Sequence, residues 1–242
     1  MAAAPTLFIS DLHLSRERPQ LIEAFYALAR GPARGAAALY VIGDLFDAWL
    51  GDDQLREPLA AGVARALSEV AASGTPVHLQ RGNRDFLLGE RFARAAGGTL
   101  LEDAVVHDVQ GTPTLIMHGD ILCTDDADYQ RFRAYWQDPV HRRRLLALPY
   151  LFRRGIAAFF RARSKRATAA KPESIMDVNA GAVSDALRAY NVSRLIHGHT
   201  HRPARHALTV DGRACERYVL SDWYSNASYL KVERAGVTSC TM

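Results

Sequence analysis

Five short apolar runs, each followed at once by polar or glycine-containing sequence, constrain the fold of this 242-residue chain more than any other feature. Runs of this length bounded by turn residues are typical of buried β-strands. Helix-like stretches over 19–30, 57–73 and 174–190 lie between them, and this alternation predicts an α/β fold with parallel strands. The predicted strands are TLFIS (6–10), ALYVIG (38–43), PVHLQ (76–80), TLIMHG (114–119) and RLIHG (194–198).

After residue 204 the pattern changes to three further predicted strands, HALTV, RYVLS and SYLKVE, the first two joined by an Asp211-Gly212 hairpin turn. There is no internal repeat and no low-complexity tract. We therefore expect one domain over 1–242, with a helical insertion at about 125–172. The three cysteines are widely spaced and form no CxxC motif, so the sequence indicates neither a disulfide framework nor a zinc knuckle.

The N-terminal sequence MAAAPTLFISD lacks the basic region of a signal peptide. No apolar run reaches the roughly 18 residues that a membrane span needs. We therefore expect a cytoplasmic location, with any membrane contact at the surface.

Basic residues are concentrated in one segment. Residues 139–172 contain ten of the 30 Lys and Arg residues and no acidic residue, which leaves 20 basic against 26 acidic residues elsewhere. One interpretation is an amphipathic helical pair that packs on the body with a solvated basic face. A second is a lid that receives acyl chains and turns its arginines towards anionic lipid head groups. A nucleic-acid patch is disfavoured, because its aromatic residues form no clear stacking pattern and the body is acidic.

Side chains able to bind a metal ion follow each of the five predicted strands. Active sites of open α/β sheets lie at the carboxyl ends of the strands. Taken singly, Asp44 could be a turn or cap residue, and His118 could be a core histidine. As a set, such side chains at successive strand ends are hard to obtain by chance. The set comprises Asp11, His13, Asp44, Asn83, His118, His199 and His201.

Carboxylates, an amide oxygen and imidazoles without a thiolate suit Mn²⁺, Fe²⁺ or Zn²⁺. Seven ligands suit two ions that share a carboxylate. Two ions about 3.5–4 Å apart can stabilise both the attacking and the leaving oxygen of a phosphoryl displacement. In RLIHGHTHRPA, alternation along an extended chain predicts that His199 and His201 point to one side. His197, which precedes the turn glycine, is expected to be structural.

The motifs SDLHL, GDLFD, GNRDF, MHGD and GHTH resemble those of the calcineurin-like metallophosphoesterases. In addition, GNRDFLLG, HGDILCTDDADYQ, IMDVN and LIHGHTHRP are similar to the UDP-2,3-diacylglucosamine pyrophosphatases of lipid A synthesis, and that similarity covers nearly the whole chain. The resemblance implies a four-layer αββα sandwich with a helical cap formed by the insertion. It also implies two Mn²⁺ ions, although the ligand types alone leave Fe²⁺ and Zn²⁺ open.

The resemblance also implies a role for individual residues. The first ion would be held by Asp11, His13, Asp44 and His201. The second ion would be held by Asp44, Asn83, His118 and His199, so that Asp44 is the bridge. The implied catalytic residues are Asp44, Asn83, Arg84 and His118. The implied substrate contacts are Asn83, Arg84, Asp126, Ser164, Thr168, Lys171 and His199. Thr168 stands where the family has asparagine, which removes the amide donors. Asp125 is expected to cap the helix that begins near Ala127.

The implied reaction is hydrolysis of the pyrophosphate bond of UDP-2,3-diacylglucosamine. Metal-activated hydroxide would attack the α-phosphorus, giving UMP and 2,3-diacylglucosamine 1-phosphate. The second implied partner is the cytoplasmic face of the inner membrane, and no nucleic acid is expected. The alternatives are a general di-metal phosphodiesterase or nuclease and, last, a binding module without activity.

Arg84 favours pyrophosphate cleavage over ester hydrolysis. Most members of the superfamily have histidine after the asparagine of this motif, and histidine can protonate a leaving alkoxide. Arginine does not give up a proton. It suits a phosphate leaving group, whose second pKa is only about 6, and it can stabilise phosphoryl charge. The alternative is that Arg84 simply pairs with Asp85.

Overall fold

The computed structural model describes residues 3–158, 177–224 and 226–242. The strands are β1 (Thr6–Ile9), β2 (Ala38–Ile42), β3 (Val77–Gln80), β4 (Thr99–Leu100), β5 (Ala104–Val109), β6 (Thr112–Met117), β7 (Arg194–His197), β8 (Ala204–Val210), β9 (Arg213–Val219), β10 (Ser228–Glu233) and β11 (Gly236–Thr241). The helices are α1 (Pro19–Arg30), α2 (Pro58–Ala72), α3 (Glu90–Ala95), α4 (Ala127–Gln137), α5 (Pro139–Leu146), α6 (described over 150–158) and α7 (Ala180–Ala189).

The strands form two mixed sheets. The first has six strands in the order β11-β10-β1-β2-β3-β4, and the second has five in the order β5-β6-β7-β9-β8. In the first sheet β1, β2 and β3 are parallel neighbours, and in the second β6 and β7 are parallel. The carboxyl ends of these five strands are those at which the sequence places metal-binding side chains.

Alternate residues of the central strands face two different cores. In β1, Phe8 packs between the two sheets, whereas Leu7 belongs to a cluster shared with α1 and α2. In β6, Ile116 packs between the sheets, whereas Leu115 belongs to a cluster shared with α7. Because side chains alternate along a strand, each sheet is buried on both faces. The layers are helix, sheet, sheet and helix, which confirms the expected αββα sandwich.

The eight predicted strands are confirmed, and so are the helices over 19–30 and 57–73. The helix expected over 174–190 was placed too early, because residues 177–179 are not helical and Asn179 caps α7 by accepting a hydrogen bond from the Ala182 amide (3.1 Å). Residues 174–176 lie outside the described residues. The strands that the sequence does not indicate, β4, β5 and β11, are all at sheet edges, where partial exposure weakens the apolar pattern.

Three helices, α4, α5 and α6, occupy the described part of the predicted insertion. Arg153 differs from the solvated or lipid-facing arginines that both interpretations of this segment describe, because it does not face outward. It is 5% exposed, its guanidinium binds the Asp53 carboxylate and the Leu50 carbonyl, and its Nε donates to the Leu148 carbonyl. A buried guanidinium needs such partners, so Arg153 attaches α6 to the body. Within the described ranges, no helix combines the length and apolar character needed to cross a membrane.

Candidate active site

The carboxyl ends of β1, β2, β3, β6 and β7 bring all seven predicted ligands into one site. Backbone hydrogen bonds hold the loops together. The His13 amide donates to the Asp44 carbonyl (2.9 Å), and the Gly198 amide donates to the His118 carbonyl (2.8 Å). The second of these bonds joins the loops after β6 and β7, so the two imidazole-bearing segments are fixed relative to each other.

One group of ligand atoms comes from Asp11, His13 and His201, and these atoms lie within 4.8 Å of one another. His201 Nε2 is 3.3 Å from Asp11 Oδ1 and 3.4 Å from His13 Nε2. The Asp222 carboxylate lies 3.3 Å from the other ring nitrogen of His201, Nδ1. That contact directs Nε2 of His201 towards Asp11.

A second group centres on Asn83, whose Oδ1 is 3.1 Å from His118 Nε2 and 3.0 Å from His199 Nδ1. His118 Nδ1 donates to the Ile42 carbonyl (3.0 Å), which directs Nε2 towards the site. Asp44 lies between the two groups. Its Oδ1 is 3.8 Å from His118 Nε2, and its Oδ2 is 3.9 Å from His13 Nε2. Asp44 therefore stands where a shared ligand would stand.

The donor atoms fit divalent cations. Asp11 Oδ1 is buried and has no hydrogen-bond partner among the described residues. Without a cation, burial raises the pKa of Asp44 to about 8, and the charges of Asp85 and Asp11 add to the rise. Burial lowers the pKa of His13 to about 3 and that of His199 to about 4, so both imidazoles are neutral, the form that binds metal. His118 differs from these two: burial lowers its pKa, but the charges of Asp44 and Asp11 outweigh burial and raise it to about 9. Without a cation, a proton on His118 therefore offsets part of the carboxylate charge, and a bound cation would displace that proton.

The backbone is strained at the same place. Of the eight described non-glycine residues with positive φ, five are predicted ligands, with φ between 46° and 69°. Such conformations are uncommon outside glycine and gather at functional sites. The five are Asp11, His13, Asp44, His199 and His201.

The expected extended alternation of the histidines was therefore wrong. β7 ends at His197, and His199 and His201 both have left-handed backbones. Their direction is set by this turn and by the hydrogen bond from the His199 amide to Asp11 Oδ2 (2.9 Å). His197 is fully buried and its Nδ1 donates to the Gly198 carbonyl (2.8 Å), which confirms its structural assignment. A Cβ on Gly198 would lie 2.3 Å from Asp11 Oδ2, so only glycine fits beside that carboxylate.

Arg84 lies beside Asp44, the residue between the two groups of ligands. Its backbone amide donates to Asp44 Oδ1 (2.8 Å), and its side chain is half-buried. The alternative of an Arg84–Asp85 ion pair is not found among the described residues. Asp85 is fully buried and accepts from the backbone amides of Gly82 (2.7 Å), Leu45 (2.8 Å) and Asp44 (3.2 Å).

Asp85 is expected to hold the loops after β2 and β3 together. Replacement by Ala leaves three buried amides without an acceptor, at a cost of about 1–3 kcal/mol for each. We expect Asp85→Ala to lower the melting temperature by roughly 10 °C, measured by differential scanning calorimetry. Asp85→Asn keeps one acceptor oxygen and should lose less. A melting temperature equal to that of the wild type for Asp85→Ala would contradict this assignment.

The predicted substrate contacts are only partly within the described residues. Ser164, Thr168 and Lys171 lie outside them. Asp126 caps α4 by accepting from the Tyr129 amide (3.0 Å). The expectation that Asp125 provides this cap was wrong, because its carboxylate instead accepts from Asn179 Nδ2 (2.9 Å) ahead of α7.

Two aromatic residues that sequence analysis did not identify border the site. Tyr129 donates to Asp120 Oδ2 (2.7 Å), and its ring centroid is 5.9 Å from that of His199. Arg133, one turn later on α4, donates to the same Asp120 oxygen (2.8 Å). Residues four apart lie on the same face of a helix, so the sequence could have indicated that Tyr129 and Arg133 act together. Tyr224 lies 5.3 Å from the ring of His13, in a loop without any recognisable pattern.

Comparison with known proteins identifies the family of this chain. The model of the calcineurin-like phosphoesterase family matches residues 4–203. The chain is 49% identical over 230 residues to a UDP-2,3-diacylglucosamine hydrolase of Aromatoleum aromaticum, covering 95% of this chain and 94% of that protein. It is 50% identical over 227 residues to a protein of the same name from Escherichia coli O81, covering 94% of each. The chain therefore belongs to the calcineurin-like phosphoesterases, a family of hydrolases.

Proposed function

We propose that this protein hydrolyses the pyrophosphate bond of UDP-2,3-diacylglucosamine to UMP and 2,3-diacylglucosamine 1-phosphate. The observation that carries the proposal is the position of Asp44 between two groups of metal-type ligands, next to Arg84. The relatives that bear the name of this reaction cover nearly the whole chain, including the insertion.

Two divalent cations, Mn²⁺ in our proposal, fit the two groups of ligands. Asp11, His13 and His201 would hold the first, Asn83, His118 and His199 the second, and Asp44 both. When bound, the ions supply Lewis acidity that activates water and offsets phosphoryl charge. Neutral His13 and His199 offer lone pairs without first losing a proton.

The side chains around the ions orient the diphosphate. Asn83 turns its Oδ1 towards His118 and His199, which leaves its amide donors for a phosphoryl oxygen. The Arg84 guanidinium supplies charge-assisted donors to the same group. With attack at the α-phosphorus, the leaving group is a sugar phosphate that departs as an anion. Arg84 therefore stabilises charge, and no protonated histidine is needed at its position.

The insertion gives the proposed site a lipid-binding side. Of the twelve exposed large hydrophobic residues in the described ranges, seven lie between residues 132 and 152. They are Phe132, Tyr135, Val140, Leu146, Leu148, Leu151 and Phe152. Exposed apolar side chains among arginines are typical of segments that lie at a membrane surface. We propose that α4–α6 form a lid over the acyl chains and contact the inner membrane, and that Asp126, Ser164, Thr168 and Lys171 bind the head group.

Leu151 and Phe152 give the lid proposal a direct test. They are 74% and 67% exposed, so serine at both positions should not disturb the fold. We expect the double variant to bind anionic phospholipid vesicles at least roughly tenfold more weakly, because two apolar side chains no longer leave water. Co-sedimentation measures this affinity. Tyr190→Ser, at a residue that is 44% exposed at the end of α7, is the control. Equal binding by the double variant and the control would contradict a membrane role for α6.

The competing function is a general di-metal phosphodiesterase. Purified protein with Mn²⁺ is assayed for UMP release from detergent-dispersed UDP-2,3-diacylglucosamine and, in parallel, for hydrolysis of bis(p-nitrophenyl) phosphate. We expect UMP release that a chelator abolishes and a far lower kcat/KM for the aryl diester. Diester hydrolysis without UMP release would favour the general phosphodiesterase.

A further inference from the structure

Tyr224, which is exposed, and Arg18, which is half-buried, form a pair at the edge of the ligand cluster. The Arg18 guanidinium carbon lies 4.1 Å from the centroid of the Tyr224 ring. The same ring lies 5.3 Å from the ring of His13 and 5.6 Å from that of His201. Tyr224 is nevertheless 45% exposed. A large aromatic side chain that contacts two predicted ligands and yet faces solvent is placed to meet a substrate.

The pair lies at the opposite end of the cluster from the lid. Tyr129 of α4 contacts His199, in the group of ligands around Asn83. Tyr224 contacts His13 and His201, in the group around Asp11. Asp44 stands between these two groups. A diphosphate that binds across Asp44 therefore has one substituent on the side of α4 and the other on the side of Tyr224.

We infer that Tyr224 and Arg18 bind the nucleoside half of the substrate, with the pyrimidine base against the tyrosine–arginine pair. This inference rests on the proposed function, in which the acylated sugar takes the side of the lid. Aromatic rings and guanidinium planes are common stacking partners of bases. Arg18 also has donors for the carbonyl oxygens of a pyrimidine.

Binding of the base can be measured separately from binding of the phosphate. UMP and ribose 5-phosphate share the phosphate and the pentose, and only UMP has a base. Loss of a base–aromatic contact weakens binding by roughly tenfold. We therefore expect Tyr224→Ala and Arg18→Ala each to weaken UMP binding on the order of tenfold and to leave the affinity for ribose 5-phosphate unchanged.

Titration calorimetry of the Mn²⁺-loaded full chain measures both affinities. Tyr224→Phe keeps the ring and should bind UMP nearly as well as the wild type. Tyr190→Ala controls for removal of an exposed tyrosine. Arg30→Ala controls for removal of an arginine that lies over a tyrosine, because Arg30 lies 5.5 Å from the ring centroid of Tyr26 on α1.

Either of two results would overturn the inference directly: no binding of UMP to the wild type, or an unchanged UMP affinity in Tyr224→Ala. A third would also overturn it. If Tyr224→Ala lowered the affinities for UMP and for ribose 5-phosphate equally, Tyr224 would only support His13 and His201. The proposed function is judged separately by the release of UMP from the lipid substrate. Wild-type release of UMP together with unchanged UMP affinity in Tyr224→Ala would reject the nucleoside site alone.

Discussion

Replacement of Asp44 by Asn is expected to lower turnover of UDP-2,3-diacylglucosamine by at least roughly 10³-fold, the equivalent of several kcal/mol of lost metal assistance. Asp44 is 1% exposed, and its two oxygens face the two groups of ligands separately. Asp11 also lies within 4.8 Å of both His13 and His118, but among the described carboxylates only Asp44 has an oxygen within 4.0 Å of each. An amide has only one oxygen to offer, so the shared position is lost.

The same variant should lose the stabilisation that Mn²⁺ gives the wild type. A ligand at about 100 times its dissociation constant adds about 2.7 kcal/mol to the free energy of unfolding, or roughly 5–10 °C in a chain of this length. Differential scanning calorimetry with and without Mn²⁺ measures this increment. Asp185→Asn, on the exposed face of α7, is the matched control and should keep both activity and increment. An Asp44→Asn protein with the full increment would show that Asp44 is not a metal ligand.

Replacement of Arg84 by His is expected to lower kcat for the lipid substrate by about 10²–10³-fold, the usual effect of removing a donor to developing charge. The backbone bond from residue 84 to Asp44 is retained in this variant, because the amide remains. Only the guanidinium is lost, and a neutral imidazole does not replace its charge.

Arg84→Lys separates charge from geometry, because lysine keeps the charge and loses the planar pair of donors. We expect its kcat to lie between those of the wild type and Arg84→His. Because Asp85 is occupied by backbone amides, neither variant should change the melting temperature by more than about 1–2 °C, as is usual for partly exposed positions. Turnover equal to that of the wild type in Arg84→His would remove Arg84 from the mechanism.

The apolar runs predict the strands because the two sheets bury them on both faces. The positions of these runs also predict which strand end carries each of the seven side chains, and the seven side chains lie together in the structure. Metal binding by them stays a prediction. The reason given for His199 and His201 is wrong, because left-handed turns rather than an extended strand direct them. A tight turn between two histidines is not visible in their spacing.

Other features depend on contacts that no local pattern carries. The burial of Arg153 needs Asp53, which is a hundred residues away in sequence. Tyr224 acquires its place only because its loop returns to the end of β1, where the Trp223 amide donates to the Asp11 carbonyl (3.2 Å). The edge strands β4, β5 and β11 bury too little surface to show a clear apolar alternation. Local sequence therefore predicts the layers and the ligands, and long-range contacts determine the walls of the site.

Hydrolysis of UDP-2,3-diacylglucosamine in H₂¹⁸O, with Mn²⁺ and the purified protein, tests the central proposal most directly. Mass spectrometry of the two products shows which phosphorus was attacked. We predict one ¹⁸O in UMP and none in 2,3-diacylglucosamine 1-phosphate, and no product when the metal is chelated. Label in the lipid phosphate, or product formation that does not depend on metal, would contradict attack at the α-phosphorus by a metal-assisted water.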